Sequence, residues 1–216
     1  MEECIVSILN DISDALQQGR VPKVKEFVQQ ALDEGIPASE ILEQGLLSGM
    51  NTIGEKFKNN EVFVPEVLIA ARAMNKGTEI LRPHLVAAGV EDKGTVVIGT
   101  VKGDLHDIGK NLVRMMMEGK GLKVIDLGVD VPVERFLDAA RENHAQIIAC
   151  SALLTTTMGE MRNIVEAVED SELKGKVRVM IGGAPITQAY CDQIGADCYT
   201  PDAASAADAA LQLCTA

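Results

Sequence analysis

The sequence predicts an α/β protein in two parts: an N-terminal four-helix bundle over residues 1–88, and a C-terminal flavodoxin-like (Rossmann-like), doubly wound five-stranded parallel sheet over residues 89–216. Apolar residues recur at helical spacing through the first part, while short β-branched runs alternate with helical segments through the second. Aromatics make up 3% of the chain, with no Trp. Aliphatic and Met side chains must therefore fill the cores, as they do in helix bundles and parallel sheets.

In the first part, residues 3–17 place Ile5, Ile8, Leu9, Ile12 and Leu16 on one helical face. A second helix opens near Pro22, turns Val24, Phe27, Val28, Ala31 and Leu32 inward, and ends at Gly35. A third starts at Ala38 and Ser39 and carries Ile41, Leu42, Leu46, Met50, Ile53 and Phe57; the polar run 58–61 breaks it. The fourth has Pro65 near its first turn, where proline is tolerated. A linker is expected at about 82–93, marked by Pro83, Gly89 and charges.

In the second part, residues 94–101, 123–127, 146–150, 177–181 and 197–199 read as buried strands. Helical segments lie at about 108–119, 133–143, 158–170, 186–193 and 201–213. Such alternation means βαβ units with right-handed crossovers.

The net charge of −12 argues against a nucleic-acid partner. No run of 18 apolar residues suggests a membrane span. The first residues, Met-Glu-Glu-Cys, do not read as a signal peptide, so a cytoplasmic location is expected. The cysteines at 4, 150, 191, 198 and 214 are odd in number and lack metal-site spacing, so they read as idle thiols.

Ligands of open parallel sheets bind beyond the carboxyl ends of the strands, and three loops there carry unusual chemistry. The first, 102–109, holds His106 between Asp104 and Asp107. A neutral imidazole suits a transition metal, and a nearby carboxylate can take its other ring N–H. An isolated Asp-x-His is more often a solvated surface loop. The second loop, 151–157, offers the hydroxyls of Ser151, Thr155, Thr156 and Thr157. They suit a phosphate, an amide or the histidine network, and equally a helix cap. The third, 181–185, has Gly182 and Gly183, which allow either close approach of a ligand or a tight turn.

Together the three loops resemble the cobalamin-binding fold, whose pattern is Asp-x-His-x-x-Gly, then Ser-x-Leu, then Gly-Gly. The matching positions are Asp104, His106 and Gly109, then Ser151 and Leu153, then Gly182 and Gly183. The resemblance implies a cobalamin or other corrinoid bound base-off, with His106 as the lower cobalt ligand and Asp104 bonded to His106. It implies that Thr157, where members of the family often carry Ser, completes a carboxylate–histidine–hydroxyl relay. The rest of the first loop (Gly103, Leu105, Asp107 and Ile108) would surround the ligand. Ser151, Leu153, Thr155, Gly182 and Gly183 would line the slot for the nucleotide tail.

The first part looks similar to the helical cap of cobalamin methyl carriers, through Gly49-Met50-Asn51-x-Ile53-Gly54-x-x-Phe57, Phe63-Val64-Pro65-Glu66 and residues 70–74. By that pattern Phe57 and Val64 shield a cobalt-bound methyl group, and the linker serves as the hinge on which the cap moves aside. The resemblance is closest to the small corrinoid proteins of anaerobic methyltransferase systems, which serve methanol, methylamines, betaines or methoxylated aromatics. It implies a methyl carrier rather than a complete enzyme. The expected partners are a substrate:corrinoid methyltransferase, a second methyltransferase with a folate or thiol acceptor, and a reductive activating protein. Mutase cobalamin subunits and cobalamin-dependent sensors share the loops, but they need a catalytic barrel or an output module that this chain does not suggest. A receiver-like domain would need a phosphorylatable Asp where Cys150 and Ser151 stand.

Overall fold

A computed structural model describes residues 2–215, with side chains described from residue 7. The side chains of Cys4 and Ile5 lie outside the described residues. The chain divides into two compact units, 1–91 and 92–216.

The N-terminal unit contains α1 (Glu2–Gln17), α2 (Val21–Asp33), a short α3 (Ala38–Glu40), α4 (Ser48–Lys58) and α5 (Val64–Ala87). A π-helical segment, Ile41–Leu47, joins α3 to α4, so the predicted third helix is one helical stretch with a widened middle. Ile8, Leu9, Ile12, Leu16, Val24, Val28, Leu46, Met50, Ile53 and Leu81 are buried, as the helical stripes require. A Cβ on Gly49 would stand 3.0 Å from the Ser13 backbone oxygen, so helix contact there needs a glycine. Helix α5 runs through Pro83 to Ala87, past the predicted start of the linker. Glu79, whose carbonyl Pro83 leaves without a donor, is exposed, so water can serve it. Leu81 and Leu85 stay buried on either side, which keeps the helix packed.

The C-terminal unit alternates β1 (Thr95–Thr100), α6 (Ile108–Glu118), β2 (Lys123–Asp126), α7 (Val133–Glu142), β3 (Ile147–Ser151), α8 (Gly159–Glu169), β4 (Arg178–Gly182), α9 (Gln188–Ile194), β5 (Cys198–Tyr199) and α10 (Ala203–Thr215). The strands form one parallel sheet in the order β2-β1-β3-β4-β5. This is the flavodoxin-like order that the sequence predicts, and it reverses between β1 and β3.

Val97, Val101, Ile148, Cys150, Val179 and Ile181 join Phe136 of α7, Met161 and Ile164 of α8 and Cys191 of α9 in one core. Neighbouring residues of a strand point to opposite faces. Thr100, Ser151 and Gly182 therefore share the other face, the one served by α6 and α10, and they are paired side by side across β1, β3 and β4. Cys150, Cys191, Cys198 and Cys214 are free thiols, and burial pushes the Cys150 thiol far above its ordinary range. Among the described residues no helix is long and apolar enough to cross a membrane.

Candidate functional site

The reversal between β1 and β3 brings the loop after β1 beside the loop after β3. Asp104 and Thr157, 53 residues apart, meet there. The Asp104 side chain is fully buried, yet every approach to its carboxylate is from a hydrogen-bond donor. Oδ1 accepts from the His106 backbone N–H at 3.1 Å and lies 2.7 Å from His106 Nδ1. Oδ2 accepts from the backbone N–H groups of Leu153 (2.8 Å) and Leu154 (3.1 Å), and from the Thr157 hydroxyl (3.0 Å). Burial alone would raise the pKa of Asp104. The bonds from the His106 ring and from the backbone of Leu153, His106 and Leu154 outweigh it and hold the group well below the usual carboxylate range.

An ionised carboxylate only accepts, so the His106 proton sits on Nδ1 and the Nε2 lone pair is left open. Nε2 has no hydrogen-bond partner among the described residues, and the His106 side chain is 52% exposed. The His106 carbonyl is tied down by the buried Thr100 hydroxyl at 2.9 Å. The two loops that meet at Asp104 carry four exposed apolar side chains: Leu105, Ile108, Leu153 and Leu154, of which Ile108 is 77% exposed. Apolar exposure on the loops that hold an open imidazole suits a broad, flat, metal-bearing ligand.

The other sequence-predicted residues separate into distinct roles. Gly103 adopts φ +81, and a Cβ there would stand 3.4 Å from Thr157 Cγ2. Asp107 Oδ2 accepts from Asn111 Nδ2 at the start of α6, and Gly109 is exposed in the first turn of that helix. Thr155 and Thr156 are exposed, so of the three threonines only Thr157 reaches Asp104. Thr155 instead lines a shallow groove with Arg162, Asn163 and Tyr190.

The two glycines of the third loop are not equivalent. A Cβ on Gly183, at φ +136, would collide with the Ala152 carbonyl oxygen, so the close approach there is by the protein's own backbone. A Cβ on Gly182 would meet nothing within 4 Å. Gly182 thus faces open space beside Ser151, whose hydroxyl has no partner among the described residues. That space suits a polar tail entering between the strand ends and the α6–α10 face. Phe57 and Val64, both partly buried, belong to the N-terminal unit, where they flank the turn between α4 and α5.

Sequence reasoning missed Thr100, Asp130, Lys110 and Asp126. Asp130 Oδ1 accepts from the Gly103 N–H at 2.7 Å, and the Asp130 N–H donates to the Asp104 carbonyl at 3.0 Å. Lys110, only 3% exposed, reaches both carboxylate oxygens of Asp126 at 2.6 Å. A lysine inside an otherwise amphipathic α6 was the available signal.

Comparison with known proteins places this geometry in context. A family described as B12 binding domain matches residues 94–211, and a second with the same description matches residues 8–82. Dimethylamine corrinoid protein 3 of Methanosarcina acetivorans is 42% identical over 209 residues, covering 97% of this chain and 98% of that protein. Trimethylamine corrinoid protein 1 of the same organism is 43% identical over 194 residues, covering 89% and 90%. Among solved structures, a methanol:cobalamin methyltransferase complex from Methanosarcina barkeri matches with TM-score 0.84 and 30% identity, over 95% of this chain and 80% of that one. A cobalamin-binding protein from Desulfitobacterium hafniense matches with TM-score 0.79 and 31% identity, over 95% and 98%.

Proposed function

Because the chain belongs to the B12-binding family, we propose that it is a corrinoid protein that accepts a methyl group from a substrate:corrinoid methyltransferase. It passes that group to a second methyltransferase with a folate or thiol acceptor, and a reductive activating protein restores it after oxidation. The observation that carries this reading is the open Nε2 of His106, whose ring is held by a buried carboxylate on loops that expose apolar side chains. The named relatives support it, and their dimethylamine and trimethylamine systems make methylamines the first donors to test.

When bound, the corrinoid supplies a cobalt that takes up and gives up the methyl group. His106 Nε2 would hold the cobalt in place of the cofactor's own nucleotide base. Asp104 holds the Nδ1 proton and so keeps Nε2 the basic nitrogen. Thr157 donates to Asp104 from the other side and completes the relay. Asp104 stays ionised and so remains an acceptor for the Nδ1 proton. Gly103, Leu105 and Asp107 of the loop, with Ile108 and Gly109 at the start of α6, would meet the cofactor. Ser151, Leu153 and Gly182 would line the tail slot, with Gly182 giving it room and Gly183 holding the loops together behind it, while Thr155 lies toward the groove of Arg162 and Tyr190. Shielding of the methyl group is assigned to Phe57 and Val64 from the family pattern.

The test is EPR of the protein loaded with cobalamin and reduced to Co(II). The expected spectrum carries coupling to a protein nitrogen, which His106→Ala abolishes. Coupling that is absent in the wild type, or that survives the substitution, would remove the ligand assignment.

A further inference from the structure

Asp104 sets the His106 ring, but something must set Asp104. Its carboxylate points inward, and its backbone lies in a loop with Gly103 at φ +81. Two backbone groups bracket the Asp104 Cα, the Gly103 N–H and the Asp104 C=O. Both are held by one residue. Asp130 accepts from the first through its side chain and donates to the second from its own backbone. Asp130 lies in the turn between β2 and α7, which is anchored in its own right. Thr100 N–H donates to the Gly128 carbonyl at 2.9 Å, and Val131 N–H to the Thr100 carbonyl at 3.0 Å.

Asp130 also adopts φ +54, a left-handed conformation that costs an ordinary side chain. Glycine takes that conformation more easily. What aspartate adds is an acceptor aimed at Gly103.

The same turn fastens the other end of the loop. Asp126, the last residue of β2, pairs with Lys110. Lys110 Nζ donates to Asn111 Oδ1 at 2.9 Å, and Asn111 Nδ2 donates to Asp107 Oδ2 at 3.0 Å. Residues 126–130 therefore hold the His106 loop on both sides, and none of their hydrogen bonds goes to the imidazole.

We infer that Asp130 is a positioning residue for His106: through Gly103 and Asp104 it fixes the carboxylate that keeps the ring proton on Nδ1. This rests on the reading of His106 as the ligand, but its test does not need the corrinoid. The full-length chain is labelled with 15N-histidine, purified without cofactor, and the tautomer of His106 is read from its two ring-nitrogen shifts. His106→Gln assigns the signals apart from those of His84 and His144.

Asp130→Gly keeps the backbone conformation and removes the acceptor. It is expected to lower the ratio of the Nδ1-protonated to the Nε2-protonated form about fivefold, the factor that one ordinary hydrogen bond is worth. Asp130→Asn keeps both the left-handed preference and a carbonyl acceptor, and is expected to retain the wild-type ratio. Thermal unfolding is read alongside. A lower melting temperature in Asp130→Gly with an unchanged tautomer ratio would reduce Asp130 to a structural role and overturn the inference. So would a loss of ratio in Asp130→Asn as large as in Asp130→Gly. Failure of the corrinoid reading is seen separately, as missing nitrogen coupling in loaded wild type.

Discussion

The position where Gly183 would carry a Cβ is filled by the carbonyl oxygen of Ala152. Two loops leave neighbouring strands at this point, and the Ala152 N–H donates to the Gly182 carbonyl at 3.1 Å to stitch them together. Gly183→Ala must part the loops and also hold alanine at φ +136. It is expected to cost about 3 kcal/mol of stability in urea unfolding. Gly182→Ala meets no atom and is expected to unfold within about 0.5 kcal/mol of wild type. Its methyl group intrudes on the proposed tail slot, so cobalamin titration should show weakened binding in a protein of normal stability. Equal stability losses in the two variants would contradict the division of roles.

Asp104 is buried with a depressed pKa, which has a definite sign for stability. The unfolded chain holds its proton more tightly than the folded one below an ordinary carboxylate pKa of about 3.9. The stabilisation from the ionised group is therefore complete above that pH and fades as the pH falls below it. Denaturant unfolding of wild type and Asp104→Asn at several pH values should show a gap that is constant near neutrality and narrows under acid. A gap that widens in acid would reverse the assignment.

Thr157 brings both a hydroxyl to Asp104 and a methyl group that faces Gly103. Thr157→Ser keeps the first and loses the second. Thr157→Val does the opposite and leaves a buried carboxylate one donor short. The valine variant is expected to lose about 1–3 kcal/mol, and the serine variant less. Thermal or urea unfolding of the pair checks the order.

His106 itself is half exposed, and its one ring bond goes to the buried Asp104 carboxylate. His106→Ala leaves the buried Asp104 carboxylate one donor short and is expected to cost about 1–3 kcal/mol, while abolishing the nitrogen coupling in EPR. Measuring both on one preparation separates loss of a ligand from loss of structure.

Lys110 is buried against Asp126, whose side chain is 27% exposed. Removing the lysine leaves a carboxylate that water can partly serve. Lys110→Met is therefore expected to cost about 2 kcal/mol, below the 3–5 kcal/mol of a fully buried pair. Adding Asp126→Asn should return part of that loss, read as a coupling in a double-mutant cycle.

Much of this architecture was legible in the chain because it depends on local periods. The stripe through Ile8, Ile12 and Leu16 and the β-branched run at 95–100 each announce their own element. The loops bearing Asp104, Ser151 and Gly182 were legible because strand ends in a doubly wound sheet meet at one edge. Pro83 misled, since a helix tolerates proline where the freed carbonyl faces water. Asp130 was not legible. It reads as an ordinary turn residue, and its partner Gly103 is 27 residues away.

The sequence by itself determined the two-part organisation, the order of strands and helices, and the residue types gathered at the strand ends, because side-chain periodicity is a property of neighbours in the chain. Only the tertiary structure decided that Thr157 rather than Thr155 reaches Asp104, that Gly183 is packed while Gly182 faces open space, and that the 126–130 turn holds both sides of the His106 loop. Those choices depend on distances of a few ångströms between segments that spacing along the chain does not constrain.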